Sequence, residues 1–271
     1  MNNQLSVLIS IYYKESPTYL RQALDSVFAQ SVQAEQVVLV EDGPLTDELY
    51  AVLDEYSVAH PELERVPLKE NGGLGLALNE GLKHCCHSLV ARMDTDDISH
   101  PDRFEKQLAF MRKHPEVDLL SSWIDEFVDD PNQPLSVRRL PESHEELYKY
   151  GRKRNPANHP VVMFRKEAVE AAGGYQHFPF FEDYYLWVRM LMNGAHFHCL
   201  QESLLSMRTN PDMFTRRGGW SYACTELRLQ RELLHMGYTN VWHFVVLALP
   251  KFAVRLLPNS LRTVVYRKLL R

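Results

Sequence analysis

Four short apolar runs, at 5–11, 36–41, 63–68 and 88–93, alternate with segments whose apolar residues recur at helical spacing. This alternation constrains the fold more than any single motif. The first run, Leu5-Ser6-Val7-Leu8-Ile9-Ser10-Ile11, is apolar on both parities, which suits a strand buried on both faces of a sheet. Ser16 and Pro17 then open a helix in which Leu20, Ala23, Leu24, Val27 and Phe28 share one face. The second run centres on Val37-Val38-Leu39-Val40, and a helix beginning near Thr46 follows with Leu49, Val52, Leu53 and Tyr56. After the third run, Asn71-Gly72-Gly73 opens a helix holding Leu74, Ala77, Leu78 and Leu82. Strands joined by helices through short connections imply right-handed crossovers. The expected fold is therefore α/β, Rossmann-like, with a mostly parallel central sheet covered by helices on both faces.

Beyond Pro115 the pattern loosens. A strand is expected at 117–123, a helix at 142–150, a short strand at 161–164, and a helix at 166–172 stopped by Gly173-Gly174. Phe181 to Leu191 reads as an amphipathic helix with Glu182 and Asp183 at its start.

In open α/β sheets ligands sit beyond the carboxyl ends of the strands. Ser10 to Glu15, Glu41-Asp42-Gly43 and Asp94 to Asp97 all fall there. The last of these, in Arg92-Met93-Asp94-Thr95-Asp96-Asp97, places three carboxylates within four positions. They repel one another, and a cation would relieve that repulsion; hard oxygen donors favour magnesium or manganese over zinc. The alternative is a solvated acidic turn capping the helix expected near Pro101.

Composition excludes several classes. A chain of 271 residues with 45% hydrophobic residues can bury a full core, and a net charge of −5 argues against general nucleic-acid binding. Cys85 and Cys86 are adjacent while Cys199 and Cys224 stand alone, so neither a disulfide framework nor a paired-cysteine metal site is expected. The N-terminus carries no basic leader, and the run at 5–11 is too short for a secretory segment, so a cytoplasmic location is expected. From Lys251 onward there is no acidic residue, while Lys251, Arg255, Arg262, Arg267, Lys268 and Arg271 accumulate.

Several ordered motifs together resemble those of the GT-A type, family 2 inverting glycosyltransferases, in particular bacterial enzymes of exopolysaccharide or O-antigen assembly. They are Asn71-x-Gly73-x-x-x-Ala77-x-Asn79, Asp94-x-Asp96 and Glu182-Asp183, with Glu41-Asp42-Gly43-Pro44 and Asn155-Pro156-Ala157-Asn158-His159-Pro160. Two departures stand out. Ser10-Ile11-Tyr12-Tyr13 replaces the Pro-Thr-Tyr-Asn of many members, and Leu78 stands where many carry Arg.

The resemblance implies a GT-A catalytic domain over 1–217, with a nucleotide-sugar half at 1–115 and an acceptor and base half at 116–217, followed by a helical basic extension at 218–271. It implies that Asp42 accepts a hydrogen bond from the nucleotide base, framed by Ser10, Ile11 and Tyr12, with Gly73 opening the nearby helix. An Asp-Gly turn is the competing reading of Asp42. Asp94 would contact the ribose, Asp96 would ligate Mn2+ or Mg2+, and Arg217 would close over the diphosphate, although Arg216-Arg217 also reads as a solvated turn. Asp183 would be the general base, since inverting transfer needs one carboxylate to take the acceptor's proton; otherwise Glu182 and Asp183 simply favour their helix N-terminus. His159 and Asn158 either touch the donor or pack locally.

The implied donor is a nucleotide-sugar, UDP-linked in preference to GDP-linked. The implied acceptor is a polyprenyl-diphosphate-linked or free saccharide. The apolar and basic segment after Val241 is too interrupted to span a bilayer but suits peripheral attachment to the inner membrane, unless it packs on the catalytic domain or a second subunit. A nucleotidyltransferase and a non-catalytic nucleotide-sugar- or saccharide-binding module remain as rivals. The first typically wants a glycine-rich phosphate loop with a cation near the first strand, where only Lys14 is available.

Overall fold

The alternation produces a single curled sheet in the computed structural model of the chain, which describes residues 4–209 and 219–256. Strands β1 (Leu5–Ile11), β2 (Gln36–Glu41), β3 (Leu63–Pro67) and β4 (Leu89–Met93) pair in parallel in the order β3-β2-β1-β4. Their two parities fill two cores. Leu8, Val38, Val40 and Val90 face α3 (Leu74–His84) through Ala77, Leu78 and Leu82. Val7, Ile9, Val37 and Leu39 face α1 (Pro17–Phe28) and α2 (Asp47–Ala59) through Leu20, Leu24, Leu49 and Leu53. Each such side chain contributes roughly 1.5–3 kcal/mol when fully buried. Close approach of α3 to the sheet depends on Gly81, where a Cβ would stand 2.4 Å from Leu8 Cδ1 and 2.6 Å from Val40 Cγ2.

Helix starts follow the expected residues with one correction. Thr46 caps α2 by accepting from Leu49 N at 3.4 Å. The Ser16 side chain makes no capping bond; its own N–H donates to Glu15 Oε1 at 2.7 Å, which draws Glu15 back toward the strand ends.

The second half of the sheet is mixed. It comprises β5 (Ile98–Ser99), β6 (Leu119–Phe127), the edge strand β7 (Ser136–Arg138), β8 (Met163–Arg165) and β9 (Phe197–Arg208). β8 lies antiparallel between β4 and β6, β9 runs parallel to β6, and β5 closes the order on β9. Between them run α4 (Arg103–Lys113), α5 (His144–Tyr150), a 3-10 turn at His159–Val161, α6 (Lys166–Ala171) and α7 (Glu182–Met192). The sequence gives no expectation of β5, β7 or β9. β9 carries Gln201-Glu202-Ser203 in its middle and pairs with β6 through two register shifts, so its apolar residues do not alternate cleanly.

The C-terminal part is helical, with α8 (Trp220–His235), α9 (Val241–His243), a π-helical turn at Phe244–Ala248 and α10 (Leu249–Arg255). Tyr222, Leu229 and Leu233 of α8 join the core around α7, and Tyr238 Oη donates to Tyr148 O at 2.6 Å. No helix among the described residues is long and apolar enough to cross a membrane.

Candidate functional site

The three strand-end segments meet as their positions in the sheet require. Asp42 N donates to Ile11 O at 2.7 Å, and Thr95 Oγ1 donates to Glu15 Oε2 at 2.7 Å, so the loops after β1, β2 and β4 are joined by hydrogen bonds. Ser10 is partly buried and Ile11 buried, while Tyr12 and Tyr13 stand exposed as an edge-to-face pair.

Asp42 is buried, and its carboxylate is already engaged. Oδ1 accepts from Gly72 N at 2.7 Å and Oδ2 from Gly73 N at 3.0 Å, while Asn71 Nδ2 donates to Asp42 O at 3.0 Å. The side chain thus fixes the entrance to α3, with Gly73 at a φ of 89° as its N-cap. Gly43 has a φ of 82°, and a Cβ there would lie 2.6 Å from Asn71 N, so the motif's glycine is needed for this contact. Asn79 explains the end of the same helix motif: its Nδ2 donates to Tyr175 O at 2.5 Å and its Oδ1 accepts from Tyr175 N at 2.7 Å.

The acidic loop is built on buried arginines. Asp94, Asp96 and Asp97 offer carboxylate oxygens all within 4.8 Å of one another. Burial, then the charges of Asp94 and Glu15, push the Asp96 carboxyl up to about 7. Asp97 is fully buried and raised well above the carboxylate range by burial and by Asp96 and Asp94. Its Oδ1 accepts from Arg208 N at 2.8 Å, but Oδ2 has no hydrogen-bond partner among the described residues. A carboxylate cluster whose proton affinity is raised by burial and mutual repulsion, with a buried orphan oxygen, fits a hard divalent cation.

Arg92 projects from β4 with 1% exposure, and its Nη2 bonds Asp94 Oδ1. Its Nε and Nη1 find no partner among the described residues. Its positive charge reaches Glu182, Asp183, His159 and Tyr175, which places it between the acidic loop and the start of α7. Arg103, also fully buried, donates to Arg92 O at 2.7 Å, and burial followed by the Arg92 charge lowers it to about 9. Arg208, at the end of β9, donates from Nε to Asp96 O at 3.1 Å and lies 3.9 Å over the Tyr19 ring.

On the other side, Glu182 and Asp183 begin α7 beside the start of α3, where a Cβ on Gly75 would be 3.5 Å from Glu182 Cβ. Asp183 Oδ2 accepts from Asn155 Nδ2 at 2.6 Å and Oδ1 from Tyr184 N at 2.7 Å. Burial raises its carboxyl, opposed by those two bonds and by the charges of Arg138 and Arg92. His159 packs locally: Nε2 is 2.9 Å from Tyr175 Oη, the ring sits edge-to-face on Trp187, and burial with the Arg92 charge keeps it well below the usual histidine range. Asn158 is buried and packs locally against β6, donating to Ser122 O at 2.8 Å. Arg217 lies outside the described residues. Arg92, Glu15, Arg208 and Asn155 were not singled out by sequence, although Arg92 and Asn155 lie inside quoted motifs.

The strand-end loops, the acidic loop after β4 and the carboxylates at the start of α7 together make up the candidate site. The chain belongs to the glycosyltransferases of the family described as Glycosyl transferase family 2, whose match covers residues 6–172. It is 38% identical over 268 residues to the UDP-Gal:alpha-D-GlcNAc-diphosphoundecaprenol beta-1,3-galactosyltransferase of Escherichia coli, covering 99% of this chain and 97% of that one. It is 42% identical to the amylovoran biosynthesis glycosyltransferase AmsE of Erwinia amylovora, covering 97% and 98% respectively. The fold matches residues 1–349 of TarS from S. aureus in complex with UDP-GlcNAc, with a TM-score of 0.69 at 17% identity over 99% of this chain and 76% of that one. Of another TarS crystal structure the chain spans 43%. It also matches the mannosyltransferase PcManGT of Pyrobaculum calidifontis in complex with GDP-Man and Mn2+, with a TM-score of 0.61 at 18% identity over 98% and 80%. The architecture is therefore GT-A with C-terminal helices.

Proposed function

We propose that the protein is a metal-dependent, inverting glycosyltransferase. It would move a sugar from a nucleoside-diphosphate donor, UDP-linked in preference to GDP-linked, to a polyprenyl-diphosphate-linked saccharide in surface-polysaccharide assembly. The observation that carries this reading is the Asp94-Asp96-Asp97 cluster, bonded through Asp94 to Arg92, whose charge acts on Glu182 and Asp183 at the start of α7. The names of the Escherichia coli and Erwinia amylovora relatives support the donor, the lipid-linked acceptor and the pathway. The catalytic unit is assigned to 1–217 and the extension to 218–271. The place of action is the cytoplasmic face of the inner membrane, with the chain attached peripherally.

In this reading Ser10, Ile11, Tyr12, Asp42 and Gly73 line the nucleotide side, Asp94 faces the ribose and Arg217 the diphosphate. Asp42 acts through the loop it holds as well as through its remaining lone pairs. Asp96, with Asp97 and Asp94 beside it, would hold the divalent ion. When bound, that ion supplies Lewis-acid neutralisation of the diphosphate. Asp183 accepts the proton of the acceptor hydroxyl as its oxygen attacks the anomeric carbon opposite the diphosphate. A new C–O bond forms, the bond to the phosphate oxygen breaks, and configuration inverts. Asn155 keeps the Asp183 carboxylate oriented, and Arg92 holds Asp94 while favouring the ionised form of Asp183.

A panel of UDP- and GDP-sugars with manganese and a short-chain prenyl-diphosphate saccharide tests the reading. Release of nucleoside diphosphate from one donor, suppressed by chelator, is the expected result. Pyrophosphate release would indicate a nucleotidyltransferase, and donor binding without turnover a binding module.

A further inference from the structure

The helical run from α9 through α10 is amphipathic in the inverted sense. Every exposed position between 241 and 256 is apolar. Trp242 is 71% exposed, Val241 67%, and Val245, Val246, Leu249 and Leu256 all stand largely in the open. The two cations of the same run point the other way. Arg255 Nε donates to Glu226 Oε2 at 2.6 Å, and its guanidinium lies 4.5 Å over the Tyr222 ring. Lys251 Nζ donates to Lys153 O at 2.7 Å and lies 3.7 Å from Glu226 Oε1. Glu226 therefore pins the charged side of the helix to α8 and leaves the apolar side facing outward.

A contiguous apolar strip of this kind marks an interaction surface rather than ordinary scatter of exposed side chains. Its chemistry favours lipid. After Glu232 the chain has no Asp or Glu, and Arg262, Arg267, Lys268 and Arg271 follow the strip in sequence, so the charge of this end complements an anionic surface. Trp242 and the 68% exposed Trp220 are residues that prefer the bilayer–water interface.

We propose that the outward face of residues 241–256 seats on an anionic bilayer, with Trp242 and Leu249 entering the boundary between headgroups and acyl chains. Lys251 and Arg255, held by Glu226, do not touch lipid in this arrangement. The inference deepens the reading of a lipid-linked acceptor and rests on it for the choice of a bilayer over another apolar partner.

The test is flotation of the full chain with vesicles of phosphatidylglycerol and phosphatidylethanolamine, and with phosphatidylcholine alone, comparing wild type with the double variant Trp242→Glu, Leu249→Glu. Both positions are exposed, so the substitutions spare the core. Wild type is expected to float with the anionic vesicles, less so as salt rises, and the double variant at least about tenfold less. Wild type that fails to float, or a double variant that floats equally, overturns the proposal. So does a wild-type dimer in sedimentation that the double variant converts to monomer without any flotation, which would assign the face to a second copy. Nucleoside-diphosphate release with a water-soluble acceptor is measured in parallel. Equal turnover in wild type and variant shows that the fold is intact, and its absence from wild type would count against the glycosyltransferase reading instead of the docking face.

Discussion

The acidic loop after β4 and the start of α7 both hold carboxylates whose proton affinity burial has raised, yet their surroundings are opposite. For Asp96 the anions Asp94 and Glu15 outweigh the Arg92 charge and a backbone hydrogen bond, and an orphan oxygen on Asp97 lies beside it. Asp183 has donors and cations for neighbours: the Tyr184 amide, Asn155, and the charges of Arg138 and Arg92. The first arrangement fits a cation, which the proposed function assigns to it. The second is already balanced and can exchange a proton without one. In the proposed function the same direction of shift would serve two roles, and its cause tells them apart.

The largest expected effect breaks the loop side. Asp96→Ala should abolish manganese-dependent nucleoside-diphosphate release, a fall of about three orders of magnitude or more, since the ion is asked for several kcal/mol of charge stabilisation. Metal-dependent release at near wild-type rates would remove the loop from the account.

Next comes the base side. Asp183→Asn should lower kcat by about 10²–10⁴-fold with donor affinity kept, because the amide preserves shape but cannot take the proton. A loss of donor affinity with kcat unchanged would make the residue structural.

Arg92 ties the two sides together, and its replacement sharpens the comparison. Arg92→Met should cost roughly 10–100-fold in kcat/KM, as expected for a group that orients a ligand from behind. Arg92→Lys should recover part of it by restoring the charge without the planar guanidinium that bonds Asp94. Arg92→Met should also move the acid limb of the kcat–pH profile upward, because the Arg92 charge favours ionised Asp183. An unchanged profile with reduced thermal stability would indicate packing alone.

The smallest effect is assigned to Asn155→Ala. Its amide stabilises the carboxylate form of Asp183, so removing it raises the carboxyl further. The base form is then lost at a higher pH as acidity increases, with a kcat loss of about tenfold at neutral pH. A shift toward lower pH would contradict the assigned direction.

The loop side was largely legible in the sequence and the supports beneath it were not. The alternation from Leu5 to Met93 specifies strand, helix and strand-end positions locally, so the convergence of Asp42 with the Asp94-Asp97 loop follows from the fold rules alone. Arg92 looked like one polar residue in an apolar run, and only the parity that turns it toward α3 and α7 gives it a role. Arg208 was hidden because β9 has an interrupted apolar pattern and pairs with a strand far away in the chain. Likewise Asn155 meets Asp183 only through tertiary packing. In the C-terminal run the residues spell a basic amphipathic helix, but Glu226 on α8 decides which side faces out.

The most direct test is calorimetric titration of the preferred nucleotide-sugar into wild type, Asp96→Ala and Asp183→Asn, each with and without manganese, alongside turnover. The account predicts that Asp183→Asn binds donor like wild type and does not turn over, whereas Asp96→Ala loses the manganese-dependent part of donor binding. Manganese-enhanced binding retained by Asp96→Ala, or lost by Asp183→Asn, would contradict the division of labour between the two sides of the site.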